Sequence, residues 1–274
     1  MDWISALSRL RSAGEPSVLV TITDTRGHSP RSAGAKMVVS ADESWDSIGG
    51  GNLEATAIEH SRRMLTEGRT APETEEISLN PHTPTRHGQQ CCGGVVHILF
   101  EPFPAAQTVA VFGLGHIGQE LAGVLSRLPI SLHLVDSREG FADQSRFPDT
   151  AGGRAQLHLH HAPAPEALLN TLPAGTHVLI MTHDHAEDLF LCEAALRRGD
   201  LGSVGVIGSS AKWSRFRKQL REAGYQDTQI EMISCPIGLP EITGKSPEVI
   251  ALSVAAAIVR TIELTSDTTV QEQP

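Results

Sequence analysis

The sequence predicts an α/β protein in which an N-terminal α+β domain precedes a Rossmann-like, doubly wound parallel sheet. From Thr108 onward, apolar strand-like runs alternate with helix-like segments, as they do in parallel sheets covered by helices. The first of these runs ends in a Gly-x-Gly-x-x-Gly turn, which opens many Rossmann folds. The first hundred residues lack this alternation, and Pro102 and Pro104 indicate a stiff linker between the two parts. We therefore predict domains over residues 1–100 and 107–264, a linker over 101–106 and a polar tail over 265–274.

Each element follows from local patterns. In the N-terminal domain a helix is expected over residues 1–14, because Trp3, Leu7 and Leu10 share one helical face and Gly14 follows them. A second helix is expected over 52–66, and the predicted strands are 17–23, 35–39, 75–79 and 95–100. In the second domain, the predicted strands are 108–112, 131–135, 155–160, 177–181, 203–207 and 229–233. The predicted helices there are 117–127, 165–171, 187–198, 211–223 and 247–264.

Composition narrows the function classes. The 274 residues include 22 Lys and Arg against 32 Asp and Glu, a formal net charge of −10, which argues against nucleic-acid binding and against a polybasic membrane anchor. The most apolar late stretch, residues 250–259, is too short to cross a bilayer. Four cysteines are too few for a disulfide scaffold in a chain of this length. We therefore expect a cytoplasmic protein with free thiols and with neither a nucleic-acid nor a membrane partner.

The glycine-rich turn after the first strand of the second domain predicts a site for an anion. Gly113 permits a tight turn, Gly115 lets a phosphate approach the backbone, and Gly118 lets the helix pack closely. Asp136 ends the next strand and would take the ribose hydroxyls if the ligand were NAD. A Rossmann sheet that keeps the turn without binding a dinucleotide remains open at this point. So does an NAD(H)-dependent oxidoreductase with His183 or His185 as its proton donor.

Polar residues follow two further strands at the edge where open α/β sheets bind ligands. Thr182-His183-Asp184-His185 and the acidic residues after it could ligate a metal, transfer protons or only cap a helix. We expect His183 and Asp184 to face a ligand. Lys212, after the Gly208-Ser209 turn, is a candidate for holding an anion.

The adjacent pair Cys91-Cys92 lies in the segment of the sequence whose residues most strongly suggest chemistry. Glycines follow it in Gln90-Cys91-Cys92-Gly93-Gly94, and their open backbone can lower the pKa of a thiol. A thiolate here could ligate a soft metal, carry a persulfide or attack an electrophile. A redox sensor that responds to oxidation of the pair, or two small buried residues, are the other interpretations.

Taken in order along the chain, these blocks resemble the XdhC/CoxI family, the xanthine dehydrogenase accessory proteins. The resemblance rests on motifs between about residue 18 and residue 260. They are Gly27-His28-Ser29-Pro30-Arg31, Gly34-Ala35-Lys36-Met37, Ile48-Gly49-Gly50-Gly51-Asn52-Leu53-Glu54, Gln90-Cys91-Cys92-Gly93-Gly94, Phe112-Gly113-Leu114-Gly115-His116-Ile117-Gly118, Met181-Thr182-His183-Asp184-His185, Gly205-Val206-Ile207-Gly208-Ser209 with Lys212, and Pro236-Ile237-Gly238-Leu239 with Gly244-Lys245-Ser246-Pro247-Glu248.

The resemblance implies a molybdenum cofactor chaperone rather than an enzyme, with Mo-molybdopterin bound transiently and NAD not expected. Such proteins hold the cofactor while a cysteine desulfurase supplies its terminal sulfido ligand, and then pass it to apo xanthine dehydrogenase. The implied partners are therefore xanthine dehydrogenase, the desulfurase and the proteins of cofactor biosynthesis, and we expect a homodimer. The expected cofactor contacts are the phosphate on Gly113, Gly115 and Gly118 or near Lys212, the pterin edge on Arg31, Lys36, Glu54 or Asp184, and molybdenum or the incoming sulfur facing Cys91 and Cys92.

Overall fold

The computed structural model describes residues 1–79, 93–147, 150 and 152–271. The chain divides into an N-terminal unit, Met1–Ala106 together with residues from Asp267 on, and a Rossmann unit, Gln107–Ser266. The first unit contains an antiparallel sheet and the second a parallel sheet, which confirms the predicted fold class. None of the helices within the described ranges is long and apolar enough to cross a membrane.

The N-terminal unit is a five-stranded antiparallel sheet in the order β3-β2-β1-β5-β4 with a helix on each face. Because side chains alternate along a strand, Val18 and Val20 of β1 pack with helix α2, whereas Leu19 packs with helix α1. The elements are α1 (Trp3–Ala13), β1 (Ser17–Arg26), β2 (Lys36–Val39), β3 (Ser44–Asp46), α2 (Gly51–Thr66), β4 (Glu73–Ser78) and β5 (Val95–Phe103).

Two features of this unit differ from the sequence prediction. The edge strand β3 was not predicted, since three polar-flanked residues give little periodicity. Strand β5 runs through residues 101–103, which were expected to begin the linker, and Pro102 pairs with Val18 of β1. The proline is tolerated because β4 ends its pairing at Phe100, so among the described residues no strand pairs with the other side of β5 at Pro102.

The Rossmann unit is a six-stranded parallel sheet in the order β11-β10-β9-β6-β7-β8. Numbered from the first strand of the unit, this is the order 6-5-4-1-2-3 of dinucleotide-binding sheets. The elements are β6 (Thr108–Phe112), α3 (His116–Leu125), β7 (Ser131–Asp136), β8 (Gln156–His161), α4 (Pro165–Leu169), β9 (His177–Ile180), α5 (His185–Arg198), β10 (Ser203–Val206), α6 (Ser210–Glu222), α7 (Asp227–Ile230), β11 (Ile233–Ser234) and α8 (Pro247–Gln271).

Helices cover both faces of this sheet and place its ligand edge. Helices α3 and α8 pack on one face through Leu121 and Val254, and α4, α5 and α6 pack on the other through Leu169, Leu191 and Phe216. The order in which successive strands are added to the sheet reverses between the parallel central strands β6 and β9. Ligands of open α/β sheets bind outside the carboxyl ends of the strands at such a switch point.

Two predictions in this unit were wrong. Residues 229–233 were expected as one strand, but helix α7 occupies Asp227–Ile230 and only Ile233–Ser234 pair as β11. The Gln229 side chain accepts a hydrogen bond from the Gln226 backbone at 2.9 Å and so favours a helical turn there. Helix α8 also continues to Gln271, beyond residue 264 where its end was expected.

Candidate functional site

The glycine turn lies at the switch point, between β6 and α3. Gly113 has a φ of 102°, and a Cβ added to it would lie 2.3 Å from the Met181 carbonyl oxygen at the end of β9. A Cβ on Gly118 would lie 2.2 Å from the Gly113 carbonyl oxygen. Packing alone therefore requires glycine at both positions.

Gly115 differs from its two neighbours in the motif. Its φ is −72°, which any residue can adopt, and a Cβ added to it would meet nothing within 4 Å. Within the described residues, no acceptor is recorded for the N–H groups of Gly115 and His116 at the start of α3. The fold does not need this glycine, so its missing side chain leaves space for a ligand at a helix N-terminus.

Asp136, at the end of β7, is fully engaged by the protein itself. Its Oδ2 accepts the Leu114 N–H at 2.7 Å and Arg138 Nη2 at 2.8 Å, and its Oδ1 accepts the Arg138 backbone N–H and Nε, both at 2.9 Å. Burial opposes the charge, but these hydrogen bonds outweigh it and hold the pKa of Asp136 below its usual range. A saturated carboxylate cannot take ribose hydroxyls without losing one of these bonds, so Asp136 does not offer the contact expected for NAD.

A hydrogen bond beside the glycine turn joins the end of β7 to helix α5. Ser137, directly after β7, donates its hydroxyl to Glu187 Oε2 in the first turn of α5 at 2.6 Å. Burial raises the pKa of Glu187, and the nearby charges of Asp136 and Asp188 act in the same direction. The switch point is thus bounded by a carboxyl group that gains a proton more easily than an exposed glutamate.

The cluster after β9 consists of a helix cap and exposed imidazoles. Asp184 caps α5 by accepting the Ala186 N–H at 2.7 Å. His183 is exposed, and His185 Nδ1 lies 3.2 Å from Arg215 Nη2. Among the residues that the structure describes, no three His, Cys, Asp or Glu side chains are placed to hold a metal ion. The cap explains Asp184, and both His183 and His185 reach solvent at the ligand edge.

Lys212 lies in a different environment from the one expected. Its ammonium forms an ion pair with Asp188 and donates to the Ile207 carbonyl at 2.9 Å. Its side chain is 10% exposed and that of Asp188 is 0% exposed. Asp188 also accepts the backbone N–H of Thr182 at 3.0 Å. Lys212 therefore ties α6 to the ends of β9 and β10, and two of its three protons are already used.

The two described cysteines are free thiols of low reactivity. Cys192 is buried in α5, and burial raises the pKa of its thiol. Cys235 is half-buried beside Gly208, and burial raises its pKa to about 11. Neither thiol is a thiolate at neutral pH.

In the N-terminal unit, a second glycine turn precedes helix α2. Gly49, Gly50 and Gly51 all have positive φ, and the turn holds the carboxylate of Glu54. Glu54 Oε2 accepts the N–H groups of Ile48 at 3.2 Å and Gly50 at 3.1 Å, and it also accepts the Ser47 hydroxyl. Glu54 was expected at a pterin edge. In the structure it is the internal anion of its own turn.

The other predicted residues of this unit differ in how they are held. Lys36 donates to the Thr21 hydroxyl at 2.7 Å, and its ammonium lies 5.5 Å from the centre of the Trp3 ring. Arg31 is exposed in the loop between β1 and β2. That loop packs on the second glycine turn, Gly49–Gly51, because a Cβ added to Gly49 would lie 2.5 Å from Pro30 Cγ.

Gly93 and Gly94 lie against the same loop. Leu79 and Gly93–Gly94 exchange hydrogen bonds of 2.7 and 3.1 Å, which extends the β4–β5 ladder. A Cβ on Gly94 would lie 2.3 Å from the His28 carbonyl oxygen, so glycine is required there. Cys91 and Cys92 lie outside the described residues. Three separate sequence blocks thus meet in the N-terminal unit: residues 26–31, residues 49–51 and Gly93–Gly94.

Comparison with known families adds to this geometry. The family model described as the XdhC Rossmann domain matches residues 109–258, and that of the XdhC and CoxI family matches residues 10–78. The chain belongs to the XdhC family. The predicted resemblance is therefore confirmed, and the two matches fall in the two structural units.

Relatives of this XdhC family member include two proteins of Escherichia coli K12. YqeB is 26% identical over 261 residues, which cover 95% of this chain and 46% of YqeB, so the chain spans less than half the length of that relative. The molybdenum cofactor insertion chaperone PaoD is 24% identical over 272 residues, covering 90% of this chain and 83% of PaoD. A crystal structure described as a xanthine dehydrogenase from Bacillus halodurans is 20% identical, covers 96% of both chains and has a TM-score of 0.47. A likeness of that size carries no functional argument.

The sequence prediction missed Ser137, Arg138 and Phe141 at the ligand edge of this XdhC family member, and it considered Glu187 only among the acidic residues that could ligate a metal, transfer protons or cap a helix. Ser137 and Glu187 bridge the flanks of the turn, and Arg138 and Phe141 lie directly beyond Asp136. A signal was present, since Arg138 follows the strand-ending aspartate by two residues. The role of Arg138 depends on its ion pair with Asp136, and sequence spacing alone does not determine whether that pair forms.

Proposed function

We propose that this chain is a molybdenum cofactor insertion chaperone. In this proposal it holds the cofactor while a cysteine desulfurase supplies the terminal sulfido ligand, and it delivers the product to apo xanthine dehydrogenase. It is an accessory protein without turnover of its own, working in the cytoplasm as a homodimer. Membership of the XdhC family supports this role, as does the similarity to PaoD along 90% of the chain.

The observation that carries the proposal is the combination of an open Gly115 with a saturated Asp136. Gly115 leaves exposed N–H groups for the phosphate that molybdopterin carries. Asp136 has no free lone pair for the ribose diol of NAD. A phosphorylated cargo fits this turn better than NAD(H), and the oxidoreductase interpretation is correspondingly disfavoured. A saturable NADH titration accompanied by turnover would reverse that judgement.

The residues have separate tasks in this proposal. Arg31 and His183 are exposed polar groups that can meet the hydrogen-bonding edge of the pterin, each within its own unit. Cys91 and Cys92 face molybdenum or the incoming sulfur, because the cargo exchanges a ligand on its metal. Lys36, Glu54, Asp184 and Lys212 make internal contacts, and we assign them to shaping the loops that carry the ligand contacts.

The test is cofactor content after expression in a molybdenum-replete host, measured by mass spectrometry of the released pterin. Wild-type protein should carry molybdopterin, and Cys91→Ala, Cys92→Ala and the double variant should carry less. Cys235→Ala is the matched control, because this thiol is half-buried and has a raised pKa, and it should match wild type. Wild-type protein without pterin, even when the cofactor is offered in vitro, would contradict the chaperone role. Full loading of all three cysteine variants would contradict only the role of the thiols.

Delivery needs a second measurement. Apo xanthine dehydrogenase should gain activity when incubated with loaded protein and a cysteine desulfurase, and should gain less when the desulfurase is omitted. Activation of equal size with free cofactor alone would contradict a delivery role.

A further inference from the structure

An aromatic ring held between two guanidinium groups stands beside the glycine turn. The Cζ atom of Arg138 lies 3.5 Å from the centre of the Phe141 ring, and that of Arg146 lies 4.0 Å from the same centre. Two guanidinium groups this close to one ring centre would overlap on a single face, so they occupy opposite faces. Stacking of this kind fixes the plane of each guanidinium.

The orientation of Arg138 is fixed a second time, at its edge. Nε and Nη2 both donate to the buried Asp136, which forms a bidentate pair. Asp136 Oδ2 also accepts the Leu114 N–H, so Arg138 Nη2 and the backbone of the glycine turn share one acceptor atom. The guanidinium therefore lies next to the turn, held on one face by Phe141 and along one edge by Asp136.

The remaining donors of Arg138 point away from Asp136. Its Nη1 has no recorded acceptor within the described residues, and its side chain is 29% exposed. We propose that Arg138, positioned by Asp136 and Phe141, is a phosphate-binding residue that selects ligands carrying a phosphate monoester beside the glycine turn. The proposal rests on the proposed function for the identity of the cargo, and it replaces Lys212 with Arg138 as the cation that meets the phosphate.

The local charge is compatible with an anion. The Arg138 guanidinium compensates the charge of Asp136, and the Leu114 N–H stabilises that carboxylate further, while the Arg146 guanidinium lies on the other face of Phe141. The carboxyl group of Glu187, in α5, interacts electrostatically with Arg138. This carboxyl group accepts a hydrogen bond from Ser137, and burial raises the pKa of Glu187. By contrast, the ammonium of Lys212 is buried against Asp188.

The test compares each ligand with and without its phosphate. The probes are molybdopterin cofactor before and after alkaline phosphatase, and adenosine 2′,5′-bisphosphate against adenosine 5′-monophosphate, titrated into the full chain. Wild-type protein should prefer the phosphorylated form of at least one pair, and Arg138→Gln should reduce that preference roughly tenfold to a hundredfold, as loss of one charge-assisted contact predicts. Phe141→Leu should reduce it less, because the bonds between Arg138 and Asp136 remain. Arg260→Gln, an exposed arginine of α8, should leave it unchanged.

The ratio of the affinities for the phosphorylated and unphosphorylated forms distinguishes phosphate recognition by Arg138 from a structural effect of its substitution. A structural effect of Arg138→Gln would lower the affinity for both forms equally, and that result would overturn the proposal. Equal wild-type binding of both forms in both pairs would also overturn it, while leaving the chaperone role intact. Absence of any binding would overturn both. A preference confined to the nucleotide pair and lost in Arg138→Gln would support the phosphate-binding residue and assign it to a nucleotide.

Discussion

Each of the two glycine turns of this protein leads into a helix, but the two turns differ in what accepts their backbone N–H groups. At Gly49-Gly50-Gly51, the N–H groups before α2 are satisfied by Glu54 of that same helix. At Gly113-Leu114-Gly115, the Leu114 N–H is taken by Asp136, while those of Gly115 and His116 have no recorded acceptor in the described chain. The first turn carries its own anion and the second leaves the position open.

This difference separates glycines that the fold requires from those that it does not require. Sequence motifs contain both kinds, and only the contacts around each position tell them apart. A related distinction applies to charged residues: both Lys212 and Arg138 pair with a buried aspartate, but the Lys212 side chain is 10% exposed and that of Arg138 is 29% exposed. Substitutions at internally satisfied positions should therefore reduce stability, and substitutions at open positions should reduce binding.

The largest loss of stability is expected at the buried ion pair. Lys212→Met leaves the fully buried Asp188 without its counter-ion, so the free energy of unfolding should fall by about 3–5 kcal/mol. Denaturant unfolding followed by circular dichroism measures this change. Lys218→Met on the same helix is the control, since its pair with Glu222 is exposed, and should change stability by less than about 1 kcal/mol. An equal, small effect of both substitutions would mean that Lys212 is not an internal charge.

The next largest loss of stability is expected at the Gly49–Gly51 turn. Glu54→Ala leaves the N–H groups of Ile48 and Gly50 without their acceptor, at a cost of about 1–3 kcal/mol. Thermal unfolding measures it, with Glu15→Ala, an exposed glutamate outside any element, as the control. If the variant kept wild-type stability but lost the cofactor, Glu54 would be a ligand contact, as the sequence suggested.

The imidazoles of the two units have different neighbours, and those of the Rossmann unit are expected to make it sensitive to acid. In the N-terminal unit, His60 Nε2 lies 3.0 Å from Glu73 Oε2. In the Rossmann unit, the ring of His133 lies 4.5 Å from that of His158 and 5.2 Å from that of His160. Burial, together with repulsion from the other two rings, lowers the pKa of His133 to about 4. The pKa values of His158 and His160 are also lowered by burial.

A histidine whose pKa is lower in the folded state binds its proton more readily when unfolded. The stability of the Rossmann unit should therefore be complete above about pH 6.5 and fall as the pH decreases toward 4. Unfolding at a series of pH values measures the slope. His133→Asn should flatten it, and His161→Asn, an exposed histidine of the same strand pair, should not. An unchanged slope in His133→Asn would place the acid sensitivity elsewhere.

These comparisons also show what the sequence could reveal. Alternating apolar runs predicted the parallel sheet, because buried strands and amphipathic helices have different periods. The glycine spacing predicted the turn that the structure places at the switch point. The pairing of charges could not be predicted from the sequence, since Lys212 and Asp188 are 24 residues apart and meet only when α5 and α6 pack on one face of the sheet. The same limit applied to Gly113 and Gly115. The sequence motif does not distinguish them, because their difference lies in the atoms that surround each one in the folded structure.

The smallest effect on stability, and a large one on binding, is expected at Gly115. Gly115→Ala meets no atom within 4 Å at an ordinary φ, so the free energy of unfolding should change by less than about 1 kcal/mol. Gly113→Ala is its matched opposite, because its φ is 102° and its Cβ would lie 2.3 Å from the Met181 carbonyl oxygen. That variant should lose about 3 kcal/mol. Cofactor content separates the two interpretations of the turn: if Gly115→Ala folds normally and no longer retains molybdopterin, the glycine is there for the phosphate. If it folds and retains the cofactor in full, the open turn is not the site, and the cargo is held elsewhere.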